Sequence, residues 1–180
     1  RVAAPIVLRK AVAPRVTLPA LDHDALLRED AADSAAKGVI RTGVFQKFST
    51  PVRVDGEATE GGMWEFQDDG SLAWRCFVQA EGAEGIRVHL LDMRLPAGAA
   101  LWVHDAANAD DAFGPFSGTV KGDDGLWLPT CFSDEVALTC LVPAGVNPAD
   151  VKLVFDQIVH MYRKPGALPW RASRGCNPST

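Results

Sequence analysis

The chain has 180 residues, of which 47% are hydrophobic, and a formal net charge of −5, which is typical of one globular domain with a sizeable core. No run approaches the roughly 18 apolar residues that a membrane-spanning helix needs, and we predict no membrane partner. All 23 acidic residues lie between Asp22 and Asp156, so the middle of the chain repels phosphate and we predict no nucleic-acid partner.

The first twenty residues contain three prolines and no regular hydrophobic period, which predicts an extended arm with a short edge strand around Ile6–Leu8. A helix is predicted at about residues 22–37, because Asp22 or Asp24 can cap its N-terminus and Gly38 follows its last turn. The apolar residues at helical spacing in this segment are Leu26, Leu27, Ala31 and Ala35.

From Val39 onward, short apolar runs bounded by Gly, Pro, Asp or Asn predict β-strands. Residues 63–80 predict a hairpin, since two aromatic-rich runs flank Asp69-Gly70, a dipeptide that suits a tight β-turn. The other predicted strand segments are 39–48, 86–90, 101–104, 125–131, 135–143 and 151–163. Seven or more short strands predict an all-β fold, an antiparallel β-sandwich of jelly-roll type with one N-terminal helix.

The sequence contains only weak candidates for catalytic residues. Ser133 lies in a predicted turn, and neither the G-x-S-x-G motif nor the glycine-flanked serine of chymotrypsin-like enzymes occurs. His89, His104 and His160 lie on predicted strands and are not spaced as a pair of zinc ligands. We therefore predict no catalytic residue, no cofactor and no enzymatic activity in this chain.

Three acidic residues in the segment 105–118, Asp105, Asp110 and Asp111, are a candidate calcium site, because hard oxygen ligands gathered in a loop suit that ion. Their spacing differs from that of an EF-hand loop. The favoured interpretation is a solvated loop without metal.

The tryptophans offer a candidate binding surface. Trp64, Trp74, Trp102 and Trp127 could form a stacking platform for sugars on one face of the sandwich. Aromatic residues at alternating strand positions more often belong to the core, which is the favoured interpretation.

The four cysteines, Cys76, Cys131, Cys140 and Cys176, lack the paired C-x-x-C spacing of a zinc site. In an exported protein they are candidate disulfide partners, and in a cytosolic one buried free thiols. Three lie in the predicted sandwich and one in the tail. Either one bridge forms within the sandwich or a bond reaches the tail, and the three possible pairings stay open.

Several phrases in their order carry a family resemblance: "LPALDHDALLREDAADSAAKG", "RTGV", "DGSLAWRCFVQAEGAEGIRVHLLDMRLPAGAALWVHD", "GPFSG", "GLWLPTCFSDEVAL" and "FDQIVHMYR". From about Leu18 to Arg163 the chain resembles the N-terminal pro-region of secreted bacterial trypsin-like serine endopeptidases of the lysyl endopeptidase type. We divide it into an arm at 1–20, a sandwich with its leading helix at 21–163, and a segment at 164–180 that holds a linker and the start of an absent catalytic domain.

The resemblance implies a non-catalytic pro-region whose partner is its own chymotrypsin-fold protease domain, beyond Thr180. The chain would assist the folding of that domain and inhibit it until the linker at 164–175 is cut, in a secreted or periplasmic setting. The alternative is a free-standing secreted β-sandwich that binds carbohydrate or protein.

Two features of the tail acquire roles from the resemblance. Cys176 and the residue after it match a Cys-Asn pair near the start of the family's catalytic domain. The bond between Arg174 and Gly175 matches the family's self-cleavage position, and the bond after Arg171 is a second basic candidate.

Overall fold

The computed structural model describes residues 14–37, 40–122 and 124–164, with the side chains of 33–37 left out. Within these ranges the chain forms two packed β-sheets and one helix, which confirms the predicted all-β sandwich. The helix α1 spans His23–Lys37 and a 3-10 turn spans Pro148–Asp150. The strands are β1 (Arg15–Leu18), β2 (Gly43–Asp55), β3 (Ala58–Glu60), β4 (Met63–Phe66), β5 (Leu72–Ala80), β6 (Gly85–Arg94), β7 (Ala100–Asp105), β8 (Asn108–Phe116), β9 (Thr119–Val120), β10 (Leu126–Trp127), β11 (Glu135–Val142) and β12 (Lys152–Met161).

The first sheet has the strand order β1-β5-β11-β7-β8, with β4 also paired to β5. The second has the order β10-β6-β12-β2-β3, with β9 also paired to β6. These pairs are antiparallel except that of β1 with β5. The segment predicted as an extended arm thus contributes one parallel edge strand, whereas the predicted edge strand at Ile6–Leu8 lies outside the described residues.

Side chains at alternate strand positions fill the space between the two sheets. On β11, the alternate side chains of Val136, Leu138 and Cys140 belong to the main core, whereas Ala137 and Thr139 between them are buried outside it. The rings of Trp74 and Phe155, one from each sheet, stack with centroids 6.2 Å apart. Burying each such large apolar side chain stabilises the fold by roughly 1.5–3 kcal/mol. The core therefore holds the two sheets together, and no side chain from the described part of α1, residues 23–32, belongs to it.

The predicted hairpin at Asp69-Gly70 is confirmed. Its arms are β4 and β5, and Gly70 has a φ of +81°, in the left-handed region that favours glycine. The side chain of Asp69 accepts hydrogen bonds from the backbone N–H and the hydroxyl of Ser71. These hydrogen bonds lower the pKa of the Asp69 carboxyl.

The interpretation of 105–118 as a loop was wrong, because most of this segment is β8, the hairpin partner of β7. The pairing joins Val103 to Phe113 and Leu101 to Phe116, with two register shifts along it. Its alternation is interrupted by those shifts and by Gly and Pro, so the period-two signal is weak in the sequence. The segment 125–131 is strand only at Leu126–Trp127.

The helix begins as predicted, since Asp22 accepts a hydrogen bond from the backbone N–H of Ala25 at 2.9 Å. Its packing face is not the expected apolar stripe: Leu27 is 39% exposed and Ala31 is exposed, whereas Asp30 is 5% exposed. Polar contacts therefore dock α1. Gly38, the expected stop, lies outside the described residues. In the described part of the chain no helix is long and apolar enough to cross a membrane.

Candidate functional site

The end of β12, where the chain leaves the sandwich, is bound to α1 through a buried carboxylate. Oδ2 of Asp30 accepts hydrogen bonds from the Tyr162 hydroxyl at 2.7 Å and from Nη2 of Arg163 at 2.8 Å. Oδ1 accepts from Nε of Arg41 at 2.9 Å, and Arg41 also pairs with the exposed Glu29 at 3.1 Å. We call these five residues the exit cluster. They connect the helix, the start of β2 and the last residues before the predicted linker.

The exit cluster keeps Asp30 ionised. Burial alone would raise the pKa of this carboxyl, but the hydrogen bonds from Tyr162, Arg163 and Arg41 outweigh it and hold the pKa below its ordinary value. Burial, together with the same carboxylate, raises the pKa of Tyr162 above its ordinary value. The tyrosine hydroxyl therefore remains a hydrogen-bond donor to Asp30 at neutral pH.

A second contact joins the first residue of α1 to β12. The Nε2 atoms of His23 and His160 lie 2.9 Å apart, with the two rings nearly perpendicular. Nδ1 of His160 lies 3.0 Å from the side-chain oxygen of Gln46. Burial, with the nearby His23, lowers the pKa of the fully buried His160 to about 4. We call His23 and His160 the histidine pair.

The second sheet carries an exposed aromatic surface. Phe45 is 71% exposed and lies 5.6 Å from the ring of Trp127. The Arg87 guanidinium lies 5.9 Å from the Trp127 ring centroid, and His89 packs against that ring at 4.5 Å. We call Phe45, Arg87 and Trp127 the aromatic patch. Aromatic and arginine side chains held in fixed positions are the residue types that dominate binding interfaces.

His89 supports the aromatic patch and is not placed as a catalytic base. Its Nδ1 lies 2.7 Å from the Asp156 carboxylate, a pairing known from catalytic triads. Its Nε2 donates to the backbone carbonyl of Asp124 at 2.8 Å, so this nitrogen has no lone pair to accept a proton from a nucleophile. Ser133 lies in the turn before β11, where its hydroxyl accepts a hydrogen bond from the Glu135 N–H.

The four tryptophans do not share a surface. Trp74 is fully buried in the core, as favoured, and Trp64 packs partly buried against that core. Trp102 is buried in a small cluster with Ala100 and Ala112, separate from the main core. Trp127 lies on the other sheet. A single stacking platform built from all four is therefore wrong.

The three candidate calcium ligands do not converge. Asp105 and Asp111 line one small depression of about 130 Å³, together with Phe113 and Phe132, and Asp110 is not part of its lining. Asp110 and Asp111 are consecutive residues of a strand, so their side chains point to opposite faces. Within the described ranges, no group of three or more His, Cys, Asp or Glu side chains could hold a metal ion.

The structure shows no disulfide among Cys76, Cys131 and Cys140, and the cysteine pairing stays a prediction. Burial raises the pKa of the Cys76 and Cys140 thiols to about 12. Cys176 lies outside the described residues, as do the predicted cleavage residues Arg171, Arg174 and Gly175.

The sequence reasoning missed the residues that bind α1 to β12. His23 and His160 are 137 positions apart, so no local pattern connects them. One signal was present: Asp30 lies four residues after Leu26, on the stripe that was expected to be apolar. A carboxylate at such a position indicates a buried cation or hydroxyl partner.

Two comparisons with known proteins complete this description. The family model described as the lysyl endopeptidase N-terminal domain matches residues 17–162. No curated protein matches the chain.

Proposed function

The chain belongs to the lysyl endopeptidase N-terminal domain family, and from this we propose that it is the non-catalytic pro-region of an exported serine endopeptidase. In this role it assists the folding of the catalytic domain. It also inhibits that domain until the linker at 164–175 is cut.

The observation that supports the proposal best is the agreement between the family match and the folded unit. The match covers 17–162, and the two sheets run from Arg15 to Met161. The sandwich has its own closed core, so it has the means to fold before a partner does. A β-rich protease domain has many non-local contacts and a slow folding search, which a folded neighbour on the same chain can template at high effective concentration.

The contacts at the end of the sandwich support a role for the linker. Arg163 is bound by Asp30, and Lys164 pairs with Glu84 at 3.1 Å. The first residue of the predicted linker, Lys164, and the residue before it are thus both anchored to the sandwich. Cleavage at Arg174-Gly175 or after Arg171 would convert a tethered contact into a bimolecular one, and inhibition would weaken as the effective concentration falls.

The direct test is assisted refolding in trans. The catalytic domain of a lysyl endopeptidase is denatured, diluted with and without the 180-residue chain, and assayed for peptidase activity. We expect a saturable rise in recovered activity, and dose-dependent inhibition when the chain is added to native enzyme. Mass spectrometry of the same mixtures identifies the bond that is cut.

A chain carrying Leu138→Lys is the matched control, because a charge at a fully buried core position prevents the sandwich from folding. It should neither assist refolding nor inhibit. If the native chain behaves like this control in both assays, the proposed function is wrong.

A second candidate, a free-standing secreted module for carbohydrate or protein, is favoured by the aromatic patch. Phe45 and Trp127 offer two ring faces with an adjacent guanidinium. Tryptophan fluorescence titration against a glycan panel tests it, with Trp127→Ala as the control. A saturable signal that this variant loses would support the module, and a flat titration would count against glycan binding.

A further inference from the structure

We propose that the histidine pair is a proton-operated latch: it holds the N-terminal half of α1 on the sandwich while at least one of the two rings is neutral, and releases it when both rings are protonated. The latch is a property of the folded chain and does not depend on the proposed pro-region function.

The direction of each hydrogen bond follows from Gln46. Its side-chain nitrogen donates to the backbone carbonyl of Pro19 at 2.9 Å, which fixes the orientation of the amide. Its oxygen therefore faces Nδ1 of His160 and can only accept, so this nitrogen carries the proton. Nε2 of the neutral His160 is then left with a lone pair, and it accepts the hydrogen bond from Nε2–H of His23.

Protonation of both rings leaves this contact without an acceptor. A second proton on His160 goes to Nε2, because Nδ1 already carries one. Neutral His23 can still accept this proton's hydrogen bond by carrying its own proton on Nδ1, so the contact survives one protonation. Once His23 is protonated as well, two N–H groups face each other at the 2.9 Å that separates the ring nitrogens, and repulsion replaces the hydrogen bond. The ring is fully buried, so water cannot solvate the new charge without movement of His23.

The surrounding charges do not compensate for this one. Along the chain, the segments at this end of the sandwich carry Asp24, Glu29 and Asp30 on α1, Arg41 before β2, Glu81 and Glu84 in the turn before β6, and Tyr162, Arg163 and Lys164 after β12. Beside burial, the group that shifts the pKa of His160 is His23. Asp30 is paired with the two arginines and Glu84 with Lys164. In the described part of the chain, no carboxylate hydrogen-bonds to the His160 ring.

The element that moves is α1 rather than the sandwich. Among residues 23–32 of the helix, whose side chains the structure describes, none belongs to the main core, so this part of α1 can leave without opening the space between the sheets. Asp30 titrates below its ordinary range and remains ionised while His160 becomes protonated. Because Asp30 also holds Arg163, loosening α1 would loosen the start of the linker; this last consequence alone rests on the proposed function.

The test is amide hydrogen exchange of the 180-residue chain between pH 7.5 and pH 4.5, expressed as protection factors. His160 has a pKa near its ordinary 6.5 when α1 is open and about 4 when it is closed. From these two values the opening equilibrium of α1 should rise about 30-fold between pH 7.5 and pH 5. Protection in β5 and β11 should stay unchanged over this range.

Three variants make the result specific. His160→Gln cannot take up a proton and should abolish the pH-dependent loss of protection in α1. His23→Gln should reduce it strongly, since an amide can donate to neutral His160 and, after rotation, accept from the protonated ring. His104→Gln, at a buried histidine on the other sheet, should keep the full 30-fold change.

A chemical-shift titration of the native chain measures the pKa of His160 without any substitution. Its midpoint should fall well below 6.5, and the loss of α1 protection should extend from about pH 6.5 down to that midpoint. The latch is refuted if α1 protection is constant from pH 7.5 to pH 5. It is also refuted if His160→Gln retains the native change, or if His160 titrates with an ordinary midpoint.

Discussion

Replacing Asp30 by asparagine tests whether polar contacts dock α1. The side chain keeps its size but loses its charge, and one of its two oxygens becomes an NH₂ donor. Three donors converge on the carboxylate, from Tyr162, Arg163 and Arg41. An asparagine leaves at least one of them facing another donor, whichever way its amide is turned.

The expected change in the opening free energy of α1 follows from the number of these contacts and from their exposure to water. A hydrogen bond to a charged group contributes about 1.5–3 kcal/mol, and removing one partner of a buried ion pair costs about 3–5 kcal/mol. The arginine partners are 41% and 24% exposed, so water replaces part of what they lose. We therefore expect Asp30→Asn to lower the opening free energy of α1 by about 2–4 kcal/mol at pH 7.

The assay is amide exchange of α1 at neutral pH, where the histidine pair is closed. Glu29→Gln is the matched control: this neighbouring carboxylate pairs with the same Arg41 but is 65% exposed, so its loss should change the opening free energy by less than about 0.5 kcal/mol. The reasoning would be refuted if the two variants had equal effects, or if Asp30→Asn changed the opening free energy by under about 1 kcal/mol.

Asp30→Asn should also change how the stability of the chain depends on pH. Because the pKa of Asp30 is lowered on folding, its stabilisation is complete above the ordinary value of 3.8 and disappears as the pH falls through the lower folded value. Asp30→Asn should therefore lack this loss of stability below pH 4. Its higher-pH change, which comes from the histidine pair, should persist.

Two further predictions concern the core. Burial raises the pKa of the Cys76 and Cys140 thiols to about 12. Iodoacetamide at pH 8 should therefore modify them roughly 1,000-fold more slowly in the native chain than in urea, as followed by peptide mass spectrometry. Fast labelling of the native chain would contradict their burial. Gly62→Ala should lower the free energy of unfolding by about 1–3 kcal/mol in urea titration, because the added Cβ would lie 2.3 Å from the buried ring of Trp74. An unchanged urea midpoint would show that the ring can move.

The family match and the folded sandwich cover nearly the same residues. The sequence resemblance runs from Leu18 to Arg163, the family model matches 17–162, and the described sandwich ends at Met161. The folding and inhibitory roles, the cleaved bond and the exported setting remain proposals that the refolding experiment addresses.

Local patterns in the sequence were sufficient for the elements whose signals are local. The period-two runs predicted the strands of the core, Asp69-Gly70 predicted the hairpin, and Asp22 predicted the start of α1. Each depends on residues within a few positions of one another, where backbone sterics and nearby hydrogen bonds decide the conformation. β8 escaped prediction because its register shifts interrupt the alternation.

The tertiary structure alone decided which face of α1 is buried and what binds it. Asp30 contacts Tyr162 across 132 positions, and His23 contacts His160 across 137. Such contacts depend on how β12 is registered against β2 and on where the helix meets the sheet, and neither is encoded in a short window of sequence. The sequence by itself determined a β-sandwich with one capped helix and the family to which it belongs. Only the packed structure brought together the carboxylate and the histidines that hold that helix in place.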